Sequence, residues 1–259
     1  MINRQEILNK YSDKDDKIFA SNILDKINKY EKTGFLVTTN FLDLNEFKIS
    51  IDLLNKSKIE YKIFSLNDVI EKRCIAILPE YTEDYNFSCV SCIKVTPNNN
   101  FKLLHKDYMG SIYNMGITED MIGDIIVFED YAYIFLMNTV LEFILLNYTK
   151  VGNSKIAIDV MDINNLEEII HNFENINIIV PSNRIDTVLA HVYKLSRSEA
   201  ESKIFKKELY INSKCVTSKT YILKENDIVS FRKCGKFKYN NIIKTTKSDN
   251  LVISITMYK

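Results

Sequence analysis

The sequence predicts a mixed α+β fold built in three successive parts. Apolar residues three and four apart indicate helices, and short apolar runs rich in β-branched and aromatic residues indicate strands. The chain has 259 residues. Because domains average roughly 150 residues, this length favours two domains or three small ones. We expect an N-terminal α/β region at 1–85, a middle domain at 86–181 and a basic domain at 182–259.

The N-terminal region predicts a small α/β unit. Residues 1 to about 33 have the periodicity of a helix, and Gly34 is a natural stop for it. The stretch 35–42 predicts a strand and 43–57 a second helix. The runs YKIFSL and CIAILP then predict two further strands.

The middle part has the order β-α-β-β-α-β. Its strands are CVSCIKVTP, DIIVF, YAYIFLM and KIAIDVM, and its helices cover 104–115 and 138–150. Glu129-Asp130 predicts a hairpin turn, Asn138 a helix cap and Gly152 the end of that second helix. This order is that of a ferredoxin-like sandwich, a fold that hosts many functions. A connecting helix at 162–173 and the strand INIIV follow.

Charge is divided unevenly along the chain. It has 34 Lys and Arg and 34 Asp and Glu, but residues 182–259 carry 16 basic against 7 acidic side chains. The remaining residues carry 18 basic against 27 acidic side chains. Such asymmetry indicates a basic segment that binds a polyanion.

Targeting signals are missing from the sequence. The first residues lack the apolar core of a signal peptide, and no run reaches the roughly 20 apolar residues of a membrane helix. Five dispersed cysteines in such a chain favour reduced thiols. We therefore expect a cytoplasmic protein that does not enter a membrane.

The basic segment opens with two predicted helices. On the first, 184–195, an apolar stripe is separated from an arc that holds Arg184, Thr187, His191 and Lys194. Ser196 and Glu199 form a capping box that starts the second helix. On that helix Lys203, Lys206 and Lys207 share one arc. Free backbone N–H groups at 196–198 could also receive phosphates, so we expect nucleic-acid binding.

This segment resembles the ribosomal-protein-S4-like RNA-binding domain. The resemblance is carried by SNRID (182–186), LSRSEA (195–200), YIN (210–212) and DIVSFR (227–232). The chain has Glu208 where that domain usually has Gly, and Asn212-Ser213 where it usually has Asn-Gly. Its Arg-Gly-x-Gly-Arg-Phe segment is here Arg-Lys-Cys-Gly-Lys-Phe, at 232–237.

The resemblance implies an S4-like αL domain that grips structured RNA. Together with the helix-face argument, it gives one set of candidate RNA-binding residues. They are Arg184, Thr187, His191, Lys194, Ser196, Arg197, Lys203, Lys206, Lys207, Lys214, Arg232 and Lys236. Among these, the phosphate contacts are assigned to Arg184, Arg197, Lys203, Lys206 and Lys207, and Ser196 to the cap.

Enzymes that carry such a domain have additional sequence motifs, which this chain lacks. A pseudouridine synthase should have a separate Arg-Leu-Asp-type strand, and a tyrosyl-tRNA synthetase a HIGH-like motif. A methyltransferase should have a glycine-rich loop, but no two of the six glycines lie within five residues. We therefore expect no catalytic residue and no cofactor.

The middle part extends the resemblance to nearly the whole chain. HKDYMGSIYNMGITEDMIGDIIV (105–127) is similar to the signature of YlmH-type proteins, as are TKVGNSKI (149–156) and the order of domains. One departure is Thr118-Glu119-Asp120, where relatives often have basic residues.

The YlmH resemblance implies a function on the large ribosomal subunit. Its implied partners are ribosomal RNA, tRNA and the ribosome, in quality control of stalled nascent chains and without a catalytic reaction. We expect a monomer. Two alternatives stay open: a large-subunit assembly factor, and an RNA-modifying enzyme with an unrecognised site in residues 1–180.

Three other patterns have simpler interpretations. Cys89-x-x-Cys92 lacks the second ligand pair of a structural zinc site, so we expect buried core cysteines and no metal. His105 and Asp107 are two apart and would not share a helix face, which favours local packing over acid–base chemistry. The aromatic run FEDYAYIF could stack bases, but core packing is favoured.

Overall fold

The computed structural model describes residues 4–64, 72–79, 89–98, 103–163, 166 and 173–258. The chain has the predicted mixed α+β architecture, with helices packed on three separate sheets. It divides into two compact units, Met1–Leu166 and Glu167–Lys259. No helix in the described ranges is long and apolar enough to cross a membrane.

The N-terminal part of the first unit packs three helices on a small antiparallel sheet. Its helices are α1 (Arg4–Leu8), α2 (Lys14–Thr33) and α3 (Leu44–Ser57), and its strands are β1 (Val37–Thr38), β2 (Tyr61–Phe64) and β3 (Cys74–Ile77). The strand order is β1-β3-β2. Ile23, Ile27, Leu53 and Ile75 belong to the core between them.

Two predictions for this part need correction. The single helix over 1–33 is broken, because Asp13 caps α2 by accepting the backbone N–H groups of Asp15 and Asp16. The strand over 35–42 is reduced to β1 and an isolated bridge between Leu42 and Arg73. The helix stop at Gly34 is confirmed: its φ of 64° lies in the left-handed region, which glycine adopts readily.

The rest of the first unit forms a five-stranded sheet with two helices. Its elements are β4 (Val90–Pro97), α4 (His105–Tyr113), β5 (Ile122–Val127), β6 (Ala132–Met137), α5 (Asn138–Asn147), β7 (Lys150–Val151) and β8 (Ser154–Met161). The strand order is β5-β6-β4-β8-β7. Ile93, Ile134, Tyr108 and Ile144 share one buried core, so α4 and α5 cover the same sheet face.

Two predictions about the ends of α5 are wrong. Asn138 is the first helical residue and Met137 occupies the cap position, because the Asn138 carboxamide accepts a hydrogen bond from Ser91 on β4 instead. Gly152, with φ of 55°, lies in the turn between β7 and β8 and does not end the helix.

Phe41 covers the β5 and β6 part of the sheet face opposite the helices. A Cβ atom at Gly123 would lie 2.8 Å from Cζ of Phe41 and 2.9 Å from Cβ of Phe135. A side chain at this position would therefore force Phe41 or Phe135 to shift. Phe41 is itself buried, and its backbone N–H donates to the carbonyl of Asp120 at 2.8 Å. Gly123 thus lets the N-terminal part pack directly against β5 and β6.

The second unit covers one face of a six-stranded antiparallel sheet with two helices. Its elements are β9 (Phe173–Val180), α6 (Ile185–Val192), α7 (Arg197–Phe205), β10 (Leu209–Ile211), β11 (Lys214–Cys215), β12 (Ile228–Phe231), β13 (Gly235–Thr245) and β14 (Leu251–Tyr258). The strand order is β11-β10-β12-β13-β14-β9. Leu189, Ile204, Val229 and Phe237 lie in the core between the helices and the sheet.

Strand β9 lies in this sheet. It pairs with β14 along its whole length, from Phe173 opposite Tyr258 to Val180 opposite Leu251. The predicted middle domain, 86–181, includes this strand. The predicted connecting helix at 162–173 falls mostly outside the described residues.

Candidate RNA interface

The turn between α6 and α7 presents the basic segment. Helix α6 ends at Val192, earlier than predicted, so Lys194 lies in the turn with a left-handed φ of 52°. The predicted capping box is confirmed. Ser196 Oγ accepts the Glu199 N–H at 3.2 Å, and the Glu199 carboxylate accepts the Ser196 N–H at 2.8 Å. The Ser196 hydroxyl also donates to the Glu199 carboxylate at 2.7 Å, and this bond, together with that from the Ser196 N–H, lowers the pKa of Glu199.

Arg184 is held in an internal ion pair. Its Nε and Nη2 donate to the two carboxylate oxygens of Asp186 at 3.2 and 2.8 Å. Burial tends to raise the pKa of Asp186, but the bonds from Arg184 and the Thr187 N–H, with the Arg184 and Arg197 charges, hold it below its usual value. Because Asp186 is only 3% exposed, Arg184 is needed to neutralise it.

Thr187 is not on the surface. The prediction that it faces outward beside Arg184 and Lys194 is wrong, because its exposed fraction is 1%. Helix α6 is buried along Ile185–Ala190, so its buried face is wider than a single apolar stripe. The Thr187 hydroxyl instead lies 3.5 Å from Nη2 of Arg197, which donates to it. His191 is exposed, and its Nδ1 lies 2.9 Å from the Thr187 carbonyl.

Lys203 is also matched by an internal charge. Its ammonium lies 3.2 Å from the Glu208 carboxylate, and both side chains are mostly covered. The pair raises the pKa of Lys203. The same ammonium sits 5.6 Å above the Phe231 ring. Glu208 occupies the position where the S4-like pattern has Gly, so this departure neutralises one of the predicted phosphate-binding cations.

Four predicted cations stay exposed and unneutralised. Lys194, Arg197, Lys206 and Lys207 have no ion pair with a carboxylate in the described part of the chain. Lys206 caps the end of α7, and Lys207 follows with a left-handed φ of 60°. These four residues are called the helix-pair cations below. Lys194 and Arg197 lie at the start of α7, and Lys206 and Lys207 lie at its end.

The other three predicted residues lie on the strands or at their ends. Lys214 is exposed in β11. The Arg232 guanidinium lies 4.7 Å from the Tyr210 ring centre, and the Lys236 ammonium lies 5.6 Å from that of Tyr258. Sequence reasoning missed both tyrosines. The alternation of these tyrosines with apolar residues is visible in the sequence. The pairing of each ring with a cation is not, because it depends on strand register.

A buried carboxylate fixes the loops beside this sheet. Asp227 accepts hydrogen bonds from the Asn212 carboxamide at 2.7 Å, the Tyr221 hydroxyl at 3.1 Å and the Lys224 N–H at 2.9 Å. Asn212 and Ser213 both have positive φ, at 49° and 68°. Ser213 therefore adopts a conformation that the glycine usual at this position would adopt without strain.

In the YlmH-like stretch, 105–127, Glu119 and Asp120 stand where relatives often have basic residues. Both make contacts within the chain. The Asn40 carboxamide donates to Asp120 at 2.6 Å, and the Lys72 ammonium lies 3.5 Å from the Glu119 carboxylate. Helix α4 begins at His105, and the Asp107 carboxylate accepts the Leu104 N–H at 2.8 Å. Asp107 therefore has a local structural role at the helix start.

Cys89 and Cys92 are buried, as predicted. Cys92 is fully buried, which raises its pKa to about 12 and keeps the thiol protonated. Cys89 packs against Cys74, with 2.9 Å between the sulfur atoms. Among the described residues, no group of three or more His, Cys, Asp or Glu is placed to hold a metal ion.

Comparison with known proteins points to one class, RNA-binding domains. Residues 80–165 match the family described as "Putative RNA-binding domain in YlmH". The whole chain is similar to the "Ribosome-associated protein quality control protein P2" of Bacillus subtilis, with 22% identity over 95% of this chain and 96% of that protein. The solved structure of "Cell division protein ylmH from Streptococcus pneumoniae" matches 60% of this chain and 96% of its own, with 19% identity and a TM-score of 0.49. The family match and the similarity to the Bacillus subtilis protein confirm the resemblance to YlmH-type proteins.

Proposed function

We propose that the chain is a non-catalytic RNA-binding protein that docks on the ribosomal RNA and tRNA of the large ribosomal subunit. Its proposed role is ribosome-associated quality control of stalled nascent chains. The observation that carries this proposal is the set of helix-pair cations, which are exposed and form no ion pair with a carboxylate among the described residues. The similarity to the Bacillus subtilis protein over 95% of this chain supports the ribosomal setting.

The physical basis is electrostatic. A cation that binds a phosphate releases a counterion, so each such contact adds roughly 0.7–0.9 to the slope of log affinity against log salt. Arg184 and Lys203 are already bound to Asp186 and Glu208, so they would have to leave a carboxylate to reach RNA. Lys194, Lys206 and Lys207 have no ion pair to break among the described residues, and Arg197 acts on Asp186 only through its charge.

The finer fold assignments belong to the same proposal. The strand order β5-β6-β4-β8, with α4 and α5 on one face, supports a ferredoxin-like middle domain. The succession of α6, a capped turn, α7 and β10 supports an S4-like αL domain. We propose three domains in all, in a monomeric cytoplasmic protein.

We propose that the chain is not an enzyme, because its candidate catalytic residues are engaged in internal contacts or buried. The Asp107 carboxylate is engaged at a helix start and the Cys92 thiol is buried, so neither is available for chemistry. Mapping the modified nucleotides of ribosomal RNA from cells with and without the gene checks this. An unchanged set is expected, and a lost modification would establish the enzyme alternative.

The helix-pair cations can be tested by sedimentation. A variant with Arg197→Glu, Lys206→Glu and Lys207→Glu should remain at the top of a sucrose gradient, while the native chain travels with large subunits. A control with Lys29→Glu, Lys32→Glu and Lys48→Glu changes the same charge on exposed helix positions of the first unit and should still bind. If the first variant travels with the subunits like the native chain, the proposal is wrong.

Crosslinking followed by RNA sequencing separates quality control from subunit assembly. We expect crosslinks to mature large-subunit RNA and to tRNA. Crosslinks confined to precursor ribosomal RNA would instead support an assembly factor.

A further inference from the structure

The sheet of the second unit has a face turned away from α6 and α7. Directly opposed residues of antiparallel strands share a face, and one such row crosses the sheet without entering the core. It runs through Tyr210, Ser230, Lys236, Tyr258 and Phe173. Their neighbours Leu209, Phe231 and Phe237 point the other way, into the core beneath the helices. We call this side the outer sheet face.

Each end of the row pairs a cation with an aromatic ring. Exposed Arg232 lies over half-buried Tyr210, and Lys236 lies over half-buried Tyr258. The Phe173 ring meets Tyr258 edge-on, with 5.2 Å between centres. Tyr210 and Tyr258 are separated by three strand spacings, which places them roughly 14 Å apart.

The next row of residues on the outer sheet face contains one cation, Lys238, and neutral side chains. Lys238 stands opposite Thr256, which stands opposite Asn175. Asn240 donates to Ser254 and Thr256 at 3.1 and 3.0 Å, and Thr256 donates to Asn175. In the described strands, neither row contains an Asp or Glu. The face therefore complements a polyanion that also offers flat rings.

We propose that the outer sheet face binds single-stranded RNA. Unpaired bases stack on Tyr210 and Tyr258, and their phosphates contact Arg232, Lys236 and Lys238. Aromatic platforms flanked by cations bind single strands in this way, because every base has a face to stack and every nucleotide a charge. The inference rests on the proposed RNA-binding function and deepens it: the helix-pair cations bind structured RNA, and the outer sheet face binds an unpaired segment on the opposite side of the sheet.

The test uses the full chain and a fluorescein-labelled short oligouridine, followed by fluorescence anisotropy. Tyr210→Ala should weaken binding about 5- to 150-fold, the range for losing one stacked base. Tyr210→Phe keeps the ring and should bind like the native chain. Lys236→Gln with Lys238→Gln should lower the salt slope by about 0.7 per cation. Lys29→Gln with Lys32→Gln removes two exposed charges from α2 and should leave the slope unchanged.

Two further results separate this inference from the proposed function. The variant with Arg197→Glu, Lys206→Glu and Lys207→Glu should lose large subunits but keep most oligouridine binding. If Tyr210→Ala binds oligouridine like the native chain, and 4-thiouridine in the oligomer crosslinks to no peptide of β10, β13 or β14, the outer sheet face is not an RNA site. Equal competition by a polyglutamate peptide would overturn it too, since a simple anion surface needs no rings.

Discussion

The middle sheet and the C-terminal sheet each carry two helices on one face and differ in the use of the other. In the middle sheet, Phe41 covers the part of the second face formed by Gly123 on β5 and Phe135 on β6. In the C-terminal sheet, the second face carries Arg232, Lys236 and Lys238 beside aromatic rings. The comparison teaches that sheets with similar helix layers can either pack the second face within the chain or leave it lined by cations and aromatic rings. Charged groups show the same division: Glu119 and Asp120 are bound by Lys72 and Asn40, whereas the helix-pair cations form no ion pair with a carboxylate among the described residues.

The largest effect expected is in the C-terminal unit, at its buried carboxylate. Asp227→Ala should lower the free energy of unfolding by about 3 kcal/mol, because three partly buried hydrogen bonds lose their charged acceptor. Hydrogen exchange on peptides of β12 and β13 during urea unfolding reports this unit alone. Glu225→Ala, an exposed neighbour, should change stability by less than about 0.5 kcal/mol. A similar loss in both variants would contradict the role given to Asp227.

Gly123 tests the closed face of the middle sheet. Gly123→Ala should destabilise the first unit by about 1–3 kcal/mol, because the new methyl group overlaps Phe41 and Phe135. Gly110→Ala is the matched control: it has open space around it on helix α4, where alanine should add about 0.5–1 kcal/mol. Urea unfolding read on β5 and β6 peptides compares the two. If both glycine variants are equally stable, Phe41 does not close this face.

The sequence predicted local features better than pairings between distant residues. The Ser196–Glu199 capping box and the inward positions of Ile185, Val188 and Leu189 follow from spacing alone. The Arg184–Asp186 pair was missed although the residues are two apart, because periodicity assigns a side chain to an arc and not to a partner. The outer sheet face was out of reach for a different reason: it needs the register of five strands, which contacts far along the chain determine.

The Arg184–Asp186 pair predicts a pH effect in the C-terminal unit. The folded-state pKa of Asp186 lies below its unfolded value of about 3.9, so its stabilisation is full above that pH and is lost as pH falls through the folded pKa. Asp186→Asn should cost about 1–2 kcal/mol at neutral pH, a buried-pair value reduced because Arg184 is 40% exposed. Hydrogen exchange on α6 peptides between pH 7 and pH 2 should show this difference shrinking below about pH 4. A constant difference would mean that the carboxylate charge contributes nothing.

The smallest effect separates neutralised cations from exposed ones. Lys206→Gln should lower the salt slope for large-subunit binding by roughly 0.7–0.9, whereas Lys203→Gln should change it little, since Glu208 already holds that ammonium. Glu208→Gln sharpens the contrast, because it releases Lys203 and should raise the slope by up to about the same amount. Binding measured over a series of salt concentrations gives all three slopes. If Lys203→Gln and Lys206→Gln lower the slope equally, the internal pair opens on the ribosome, and Lys203 joins the helix-pair cations as a phosphate contact.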